Sequence, residues 1–242
     1  MKTVIIIQAR MGSTRLPGKI MKPLGGSVVL DFVVSRCKLV ENVEEVIVAT
    51  SILSQDDAVE QWCLQNNVSC FRGSEDDVLS RYYECALQYK PVDYVIRVTA
   101  DCPFVDYELA NEVIAEMKEH PADIVLLNGS LPRGLAVEMI SFSALEYIFE
   151  NGHEPRHREH VTYYAYEHPQ QFKAISLEVP EVKKHPELRI TLDTEEDYKL
   201  CQAVADYFQG DKLVLSQTVV NFLVEHPEIA KLNAHIQQKQ VI

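Results

Sequence analysis

Between residues 3 and 127 the chain returns again and again to short, almost wholly apolar, β-branched runs, each separated from the next by a stretch of helical periodicity. Thr3–Gln8, Glu45–Ser51, Val68–Phe71, Asp93–Val98 and Asp123–Leu127 are the apolar runs; Val28–Val40, Asp56–Gln65, Asp76–Tyr89 and Tyr107–Glu119 are the helical ones. A strand that is apolar at successive positions has both faces covered, the condition of a parallel sheet with helices on either side. The alternation predicts an α/β fold with a doubly wound, mainly parallel, Rossmann-like sheet and right-handed crossovers. The rhythm breaks near Asn128. Leu135–Phe142 predicts a strand, Phe142–Asn151 a short helix, and Phe172–Val179 alternates like an exposed edge strand. The α/β pattern resumes with Leu188–Leu192 as a strand and Thr194–Phe208 as a helix. Two short C-terminal helices are expected at about 215–240, divided at His226-Pro227. One domain over 1–242 is expected, with a small α+β insertion at about 129–180.

Charge and cysteine usage exclude several classes of partner. The net charge of −13 repels phosphate backbones and anionic bilayers, so neither nucleic acid nor membrane is an expected partner. No apolar run approaches the roughly 20 residues that span a bilayer. Val4–Ile7 is too short for the core of a secretion signal, so a cytoplasmic location is expected. Cys37, Cys63, Cys70, Cys85, Cys102 and Cys201 show no C-x-x-C spacing and read as reduced thiols, mostly core filler.

In such a sheet, ligands bind beyond the carboxyl ends of the strands. The first loop there, Gln8–Lys19 (QARMGSTRLPGK), gathers Arg10, Arg15 and Lys19 with the hydroxyls of Ser13 and Thr14 and two glycines, Gly12 and Gly18. Freed backbone amides and cations at one sheet edge favour a polyphosphate site; a solvated basic loop is the plainer alternative. It is not a Walker A loop, because five residues separate the glycines and Ile20 follows Lys19, and it is not G-x-G-x-x-G. Arg97–Phe104 (RVTADCPF) puts Asp101 just past another strand, and Arg189–Asp197 (RITLDTEED) puts Asp193 just past a third. Two carboxylates facing a basic loop suit Mg²⁺ held against nucleotide phosphates. Asp193 by itself reads equally well as a helix N-cap. Glu195, Glu196 and Asp197 read as first-turn acids favoured by the helix dipole.

The stretch His153–His168 is rich in His, Arg and Tyr. A zinc site is disfavoured: Arg156 stands where H-x-x-E-H requires its first histidine, and the H-x-E at His157–Glu159 has no P-C-x-x-C after it. Arg156, Arg158 and His160 read either as a polar helix face or as the recognition site for a sugar carboxylate, which a bidentate arginine suits. Arg133, between Pro132 and Gly134, sits on a loop over the sugar or on a plain turn. Tyr163, Tyr164 and Tyr166 read as interface or core aromatics. No nucleophilic triad is present, since Ser13 and Ser51 lack a G-x-S-x-G setting and Cys102 has no evident paired histidine.

Six stretches, IIIQARMGSTRLPGK, FRGSEDDVLSRYY (Phe71–Tyr83), RVTADCPF, PRGLAVE (Pro132–Glu138), REHVT (Arg158–Thr162) and LRITLDTEED, together resemble the sugar cytidylyltransferases, in particular the spore coat polysaccharide biosynthesis branch. The resemblance covers about residues 1–208. It implies a nucleotide-diphospho-sugar transferase type of fold. It also implies transfer of CMP from CTP to the anomeric hydroxyl of an acidic 3-deoxy sugar, with loss of pyrophosphate, for surface polysaccharide or glycan synthesis. Carried over by motif, Arg10, Ser13, Arg15 and Lys19 hold the triphosphate, and Asp101 and Asp193 coordinate Mg²⁺. Arg72 and Ser74 contact the nucleotide, with Arg81 a weaker candidate, and Gln8, Ala9, Gly12 and Thr99 complete that side. Arg10, Arg15, Lys19 and Asp101 form the catalytic group. A homodimer formed through the insertion is also implied. Two positions depart from the octulosonate enzymes, which have Gln at Thr99 and an acid at Cys102. The residues also allow a nucleotidyltransferase acting on a sugar 1-phosphate or another phosphorylated alcohol. A third reading is a nucleotide-sugar-binding or glycosyltransferase-like protein that does not cleave CTP.

Overall fold

The apolar runs of the first half become neighbouring strands. In the computed structural model, which describes residues 1–238, these are β1 (Thr3–Gln8), β4 (Glu45–Ser51), β5 (Ser69–Gly73) and β6 (Tyr94–Thr99). All three of their pairings are parallel. The later strands are β7 (Ile124–Asn128), β8 (Glu138–Ser141) and β9 (Ala174–Glu178), giving a seven-stranded sheet in the order β5-β4-β1-β6-β8-β7-β9. β8 runs antiparallel to both β6 and β7, and β9 is parallel to β7 at the far edge. A small hairpin, β2 (Pro23–Leu24) with β3 (Ser27–Val28), stands apart. The result is an α/β, mainly parallel sheet with helices on both faces.

Alternation along β1 shows how the faces are covered. Ile5 and Ile7 pack with α1 (Val29–Cys37), α2 (Asp57–Gln65) and α4 (Tyr107–Glu119). Val4 and Ile6 pack with α3 (Val78–Gln88), α5 (Phe142–Asn151) and α7 (Tyr163–Glu167). Each strand residue therefore loses its apolar surface to one helical layer or the other, at about 25 cal/mol per Å² buried. A third apolar cluster joins α8 (Glu195–Tyr207) and α9 (Ser216–Glu225) to Phe32, Phe104 and Leu135. α6 (Pro155–Glu159) and α10 (Pro227–Ala230) are short. The six cysteines are free, four of them buried. Among the described residues no helix is long and apolar enough to cross a membrane.

Two expectations change. Leu188–Leu192 forms no ladder strand, because β8 already occupies the edge of β6. The run is extended and buried, held by a single bridge between Arg133 and Arg189 and by the amide of Leu192 donating to the carbonyl of Asp101 (2.8 Å). Gly134 makes this approach possible: its φ is +103°, and a Cβ there would lie 2.8 Å from the Ile190 carbonyl. At the C-terminus, α9 and α10 do divide at His226-Pro227, but α10 ends at Ala230 and residues 231–238 are turns and irregular backbone. Positions 239 and 240 of the expected helical stretch lie outside the described residues. The span 129–180 supplies two strands of the central sheet, β8 and β9, together with α5, α6 and α7.

Candidate active site

The loop after β1 is anchored. The amide of Met11 donates to Asp56 Oδ1 (2.6 Å), and the fully buried Asp56 also accepts from the amide (3.2 Å) and hydroxyl of Ser51 at the end of β4. The carbonyl of Met11 accepts from Gly18 (3.0 Å), whose positive φ of 66° turns the chain inward. That turn buries Lys19. Its Nζ lies 2.6 Å from Asp101 Oδ2 and 2.9 Å from Asp193 Oδ1, and Arg15 Nη2 is 3.1 Å from the same oxygen of Asp193. Three loops from distant parts of the sequence thus meet at the carboxyl edge of the sheet, which a freely solvated basic loop would not do.

Charge holds the cluster together. Burial pushes the Asp193 carboxyl up, but Lys19, Arg15 and Arg189 together hold it below the usual carboxylate range. Burial likewise opposes the Lys19 ammonium, yet Asp101 and Asp193 raise it above the ordinary lysine value. Asp193 is not the helix cap. Thr194 is, its hydroxyl accepting from the amide of Asp197 (3.3 Å), so the Asp193 carboxylate is left to the site. Asp197 is more than a first-turn acid. It is fully buried and accepts from Arg189 Nε (2.9 Å), Asn233 Nδ2 (2.7 Å) and the amides of Asp193 (2.9 Å) and Thr194 (3.0 Å). Sequence reasoning passed over Arg189, whose Nη2 reaches Asp193 Oδ2 at 2.8 Å. Its spacing of four residues from Asp193 and eight from Asp197 was the available signal.

The remaining nucleotide-side candidates are spread around this centre. Arg10 pairs with Glu75 (3.3 Å), and Ser13 Oγ accepts from the amide of Leu16 (3.4 Å). Arg72 donates to the carbonyls of Ser51 and Leu53 (both 2.9 Å) and pairs with Asp57 and Glu60 (both 2.7 Å), bracing the turn that carries Asp56. The buried Arg81 donates to the carbonyl of Ser74, whose hydroxyl accepts from the amide of Asp77 (3.1 Å). Among the described residues, no hydrogen bond or ion pair joins Arg72, Ser74 or Arg81 to Lys19, Asp101 or Asp193. Ala9 is buried, and its amide donates to the carbonyl of Ala49 (3.1 Å).

A cavity of about 330 Å³ opens on the other side of β6. It exists because β7 and β8 share one rung, Ile124 with Ile140, and then part. Arg97 and Thr99 from β6, Glu138 from β8 and Tyr166 from α7 supply its polar lining, and Val125, Leu126, Leu127, Ala136 and Val137 the apolar remainder. Arg97 is ion-paired with Glu138, its register partner, and donates to Gln8 Oε1 (3.2 Å). Glu138 Oε1 also accepts from Thr162 and from the hydroxyl of Tyr166 (both 2.9 Å). Burial pushes the Glu138 carboxyl up, but Arg97 and these donors bring it below its ordinary value. Thr99 Oγ1 lies 3.1 Å from Cys102 Sγ. Tyr166 is thus a lining residue of this cavity, whereas Tyr164 is a core aromatic.

The cations expected to receive a sugar carboxylate are mostly engaged elsewhere. Arg156 pairs with Glu154 (2.7 Å) and Glu167 (3.2 Å). Arg158 pairs with Asp77 (3.4 Å) and donates to the carbonyl of Phe149 (3.1 Å). His160 lies beside the ring of Tyr163. Arg133 is exposed on the loop ahead of Gly134. His157 is buried, with Nε2 2.6 Å from Glu167, and Nδ1 accepts the amide of Glu154 (3.3 Å), so it caps α6. Among the described residues, no group of three or more His, Cys, Asp or Glu is placed to hold a metal ion.

Comparison with known proteins agrees with this fold. The profile of the cytidylyltransferase family matches residues 4–239. The spore coat polysaccharide biosynthesis protein SpsF of Bacillus subtilis is 34% identical over 232 residues, 94% of this chain and 96% of its own. The 3-deoxy-manno-octulosonate cytidylyltransferase of Agrobacterium fabrum is 33% identical over 133 residues, 52% of this chain and 50% of its own. A solved cytidylyltransferase from Leptospira borgpetersenii superposes with a TM-score of 0.88 at 32% identity, covering 99% of this chain and 100% of that one. The fold, the loops that converge on its carboxyl edge and a match along nearly the whole length lead to one conclusion: the chain belongs to the cytidylyltransferase family.

Proposed function

We propose that the protein moves a cytidylyl group from CTP to the anomeric hydroxyl of an acidic 3-deoxy sugar, with Mg²⁺ as cofactor and pyrophosphate as the leaving group, for surface polysaccharide or glycan synthesis. The observation that carries this reading is the meeting of Lys19 and Arg15 with Asp101 and Asp193, Asp101 standing two residues beyond Thr99, which lines the cavity where β7 and β8 part. The acidic 3-deoxy acceptor is supported by the name of the Agrobacterium relative, and the polysaccharide role by that of SpsF. By the same resemblance we take the working unit to be a homodimer and its compartment the cytoplasm.

The donor set fits the cofactor. Both carboxylates reach one ammonium group, so they are close enough to share one cation, and Mg²⁺ asks only one or two carboxylates of a protein when phosphates and water complete its shell. Asp101 and Asp193 would hold the ion, which would supply neutralising charge at the phosphate oxygens. Lys19 and Arg15 do the same for the oxygens that gain charge as pyrophosphate departs, and a fixed cation aimed at developing charge is the main contribution a protein makes to such a transfer. Asp56 keeps the loop that carries these cations in one conformation. On the acceptor side, Tyr166, Thr99 and the Glu138–Arg97 pair offer donors and acceptors to sugar hydroxyls. Arg133, three residues before the cavity-lining Ala136, is the cation offered to its carboxylate.

The bond formed is the test. Attack by a hydroxyl gives a CMP-sugar with one phosphorus, and attack by a sugar phosphate gives a diphosphate with two coupled phosphorus signals. ³¹P NMR of the product is expected to show a single uncoupled phosphodiester resonance beside pyrophosphate. A coupled pair of resonances would assign the protein to phosphorylated acceptors instead.

A further inference from the structure

The segment after α10 closes on the carboxylate cluster. Asn233 is 1% exposed, and its Nδ2 donates to the carbonyl of Arg189 (2.9 Å) and to Asp197 Oδ1 (2.7 Å). Gln238 Oε1 accepts from Arg189 Nη1 (2.9 Å). Arg189 in turn grips Asp197 and, through Nη2, Asp193 Oδ2. The other Asp193 oxygen faces Lys19 and Arg15. One continuous chain of hydrogen bonds therefore leads from the C-terminal segment to the triphosphate side of the site.

The need for such a brace follows from the fold. Asp193 directly follows a run, Leu188–Leu192, that among the described residues belongs to no sheet ladder and has one bridge, to Arg133. Strand pairing holds Gln8 and Thr99 at the same sheet edge, but it does not hold Asp193. The Asn233 amide is also committed to the cluster. With Nδ2 turned to Arg189 and Asp197, its Oδ1 is buried without a hydrogen-bond partner among the described residues. A residue present only for packing would have no reason to be polar at this depth.

Building on the proposed reaction, we propose that Asn233 is a positioning residue for the CTP–metal site, and that residues 231–238 form a brace fixing Arg189 so that the Asp193 carboxylate keeps its aim. Groups that orient ligating carboxylates from one layer out typically change metal affinity or activity by about 10–100-fold when removed.

The test uses the full chain, after confirming that wild type releases pyrophosphate from CTP with Mg²⁺. If wild type fails there, the proposed function fails and not this inference. Asn233→Ala, the near-isosteric Asn233→Asp and the exposed-site variant Gln238→Ala are compared for half-saturating Mg²⁺, kcat, acceptor KM and Mn²⁺ affinity in the presence of CTP, read by EPR. In Asn233→Ala, half-saturating Mg²⁺ is expected to rise and Mn²⁺ affinity to fall by about tenfold or more, with acceptor KM unchanged. Asn233→Asp removes the donors and sets a carboxylate beside Asp197, so its loss is larger. Gln238→Ala shifts the same quantities less, in the same direction, and does not depend on a buried substitution being tolerated. Wild-type metal parameters in the Asn233 variants would overturn the inference. So would a loss that raises acceptor KM equally, or a lowered Tm with unchanged metal affinity; if the Asn233 variants do not fold, an unchanged Gln238→Ala overturns it.

Discussion

Lys19→Met is expected to lower kcat by roughly 10²–10³-fold, the cost of removing one well-placed charge from the transition state. Among the described residues, Lys19 is the one cation that forms ion pairs with both Asp101 and Asp193. Its loss also leaves two partly buried carboxylates facing each other, so stability falls as well. The pH dependence has a definite sign. Asp193 sits below its ordinary value, so its contribution is full above the ordinary carboxylate pKa and fades as pH falls through the lowered one. Lys19 sits above its ordinary value, so its contribution is full below the ordinary lysine pKa and fades as pH rises through the raised one. The wild-type cluster therefore has a broad plateau between the two, and Lys19→Met loses the alkaline limb set by this residue. Steady-state turnover and urea denaturation across pH check both parts. Retention of more than about a third of wild-type turnover would contradict the role given to Lys19, set against the 10²–10³-fold loss expected for such a contact.

Arg97→Met is expected to cost about 3–5 kcal/mol of folding stability, because it strands a buried carboxylate. The Arg97 and Glu138 side chains are only 16% and 24% exposed, so solvent does little to compensate. Glu138 is held below its ordinary value in wild type, so the pair's contribution is present above the ordinary carboxylate pKa and fades as pH falls through the lowered one. In Arg97→Met the penalty is greatest at neutral pH and shrinks as acid protonates Glu138. Adding Glu138→Gln should recover much of the loss, since the stranded charge, more than the missing attraction, is the cost. Urea denaturation at neutral pH reads the effect. A loss below about 1 kcal/mol, the range of an exposed pair, would mean that the cavity floor is solvated and not held by this contact.

The parts of the fold and site that sequence made legible are those governed by local chemistry. β1, β4 and β6 announce themselves by continuous burial, and the topology then puts the loops bearing Lys19 and Asp101 at one edge. What stayed hidden depends on distant partners. Leu188–Leu192 has the pattern of a buried strand and is buried, but β8 had already taken the edge of β6. Arg156 and Arg158 look like carboxylate receptors in sequence, and only the fold reveals their pairing with Glu154, Glu167 and Asp77. Asp197 resembles any first-turn acid until Arg189 and Asn233 close on it. Arg97 and Glu138, 41 residues apart, meet only because β8 turns antiparallel against β6.

The most direct test is pyrophosphate release by the purified protein with Mg²⁺ and each of CTP, UTP, ATP and GTP, across a panel of 3-deoxy sugar acids. Release that requires both CTP and one of the acids is the predicted result. Robust release with another nucleotide in place of CTP, or no release with any sugar acid from protein that binds CTP, would contradict it.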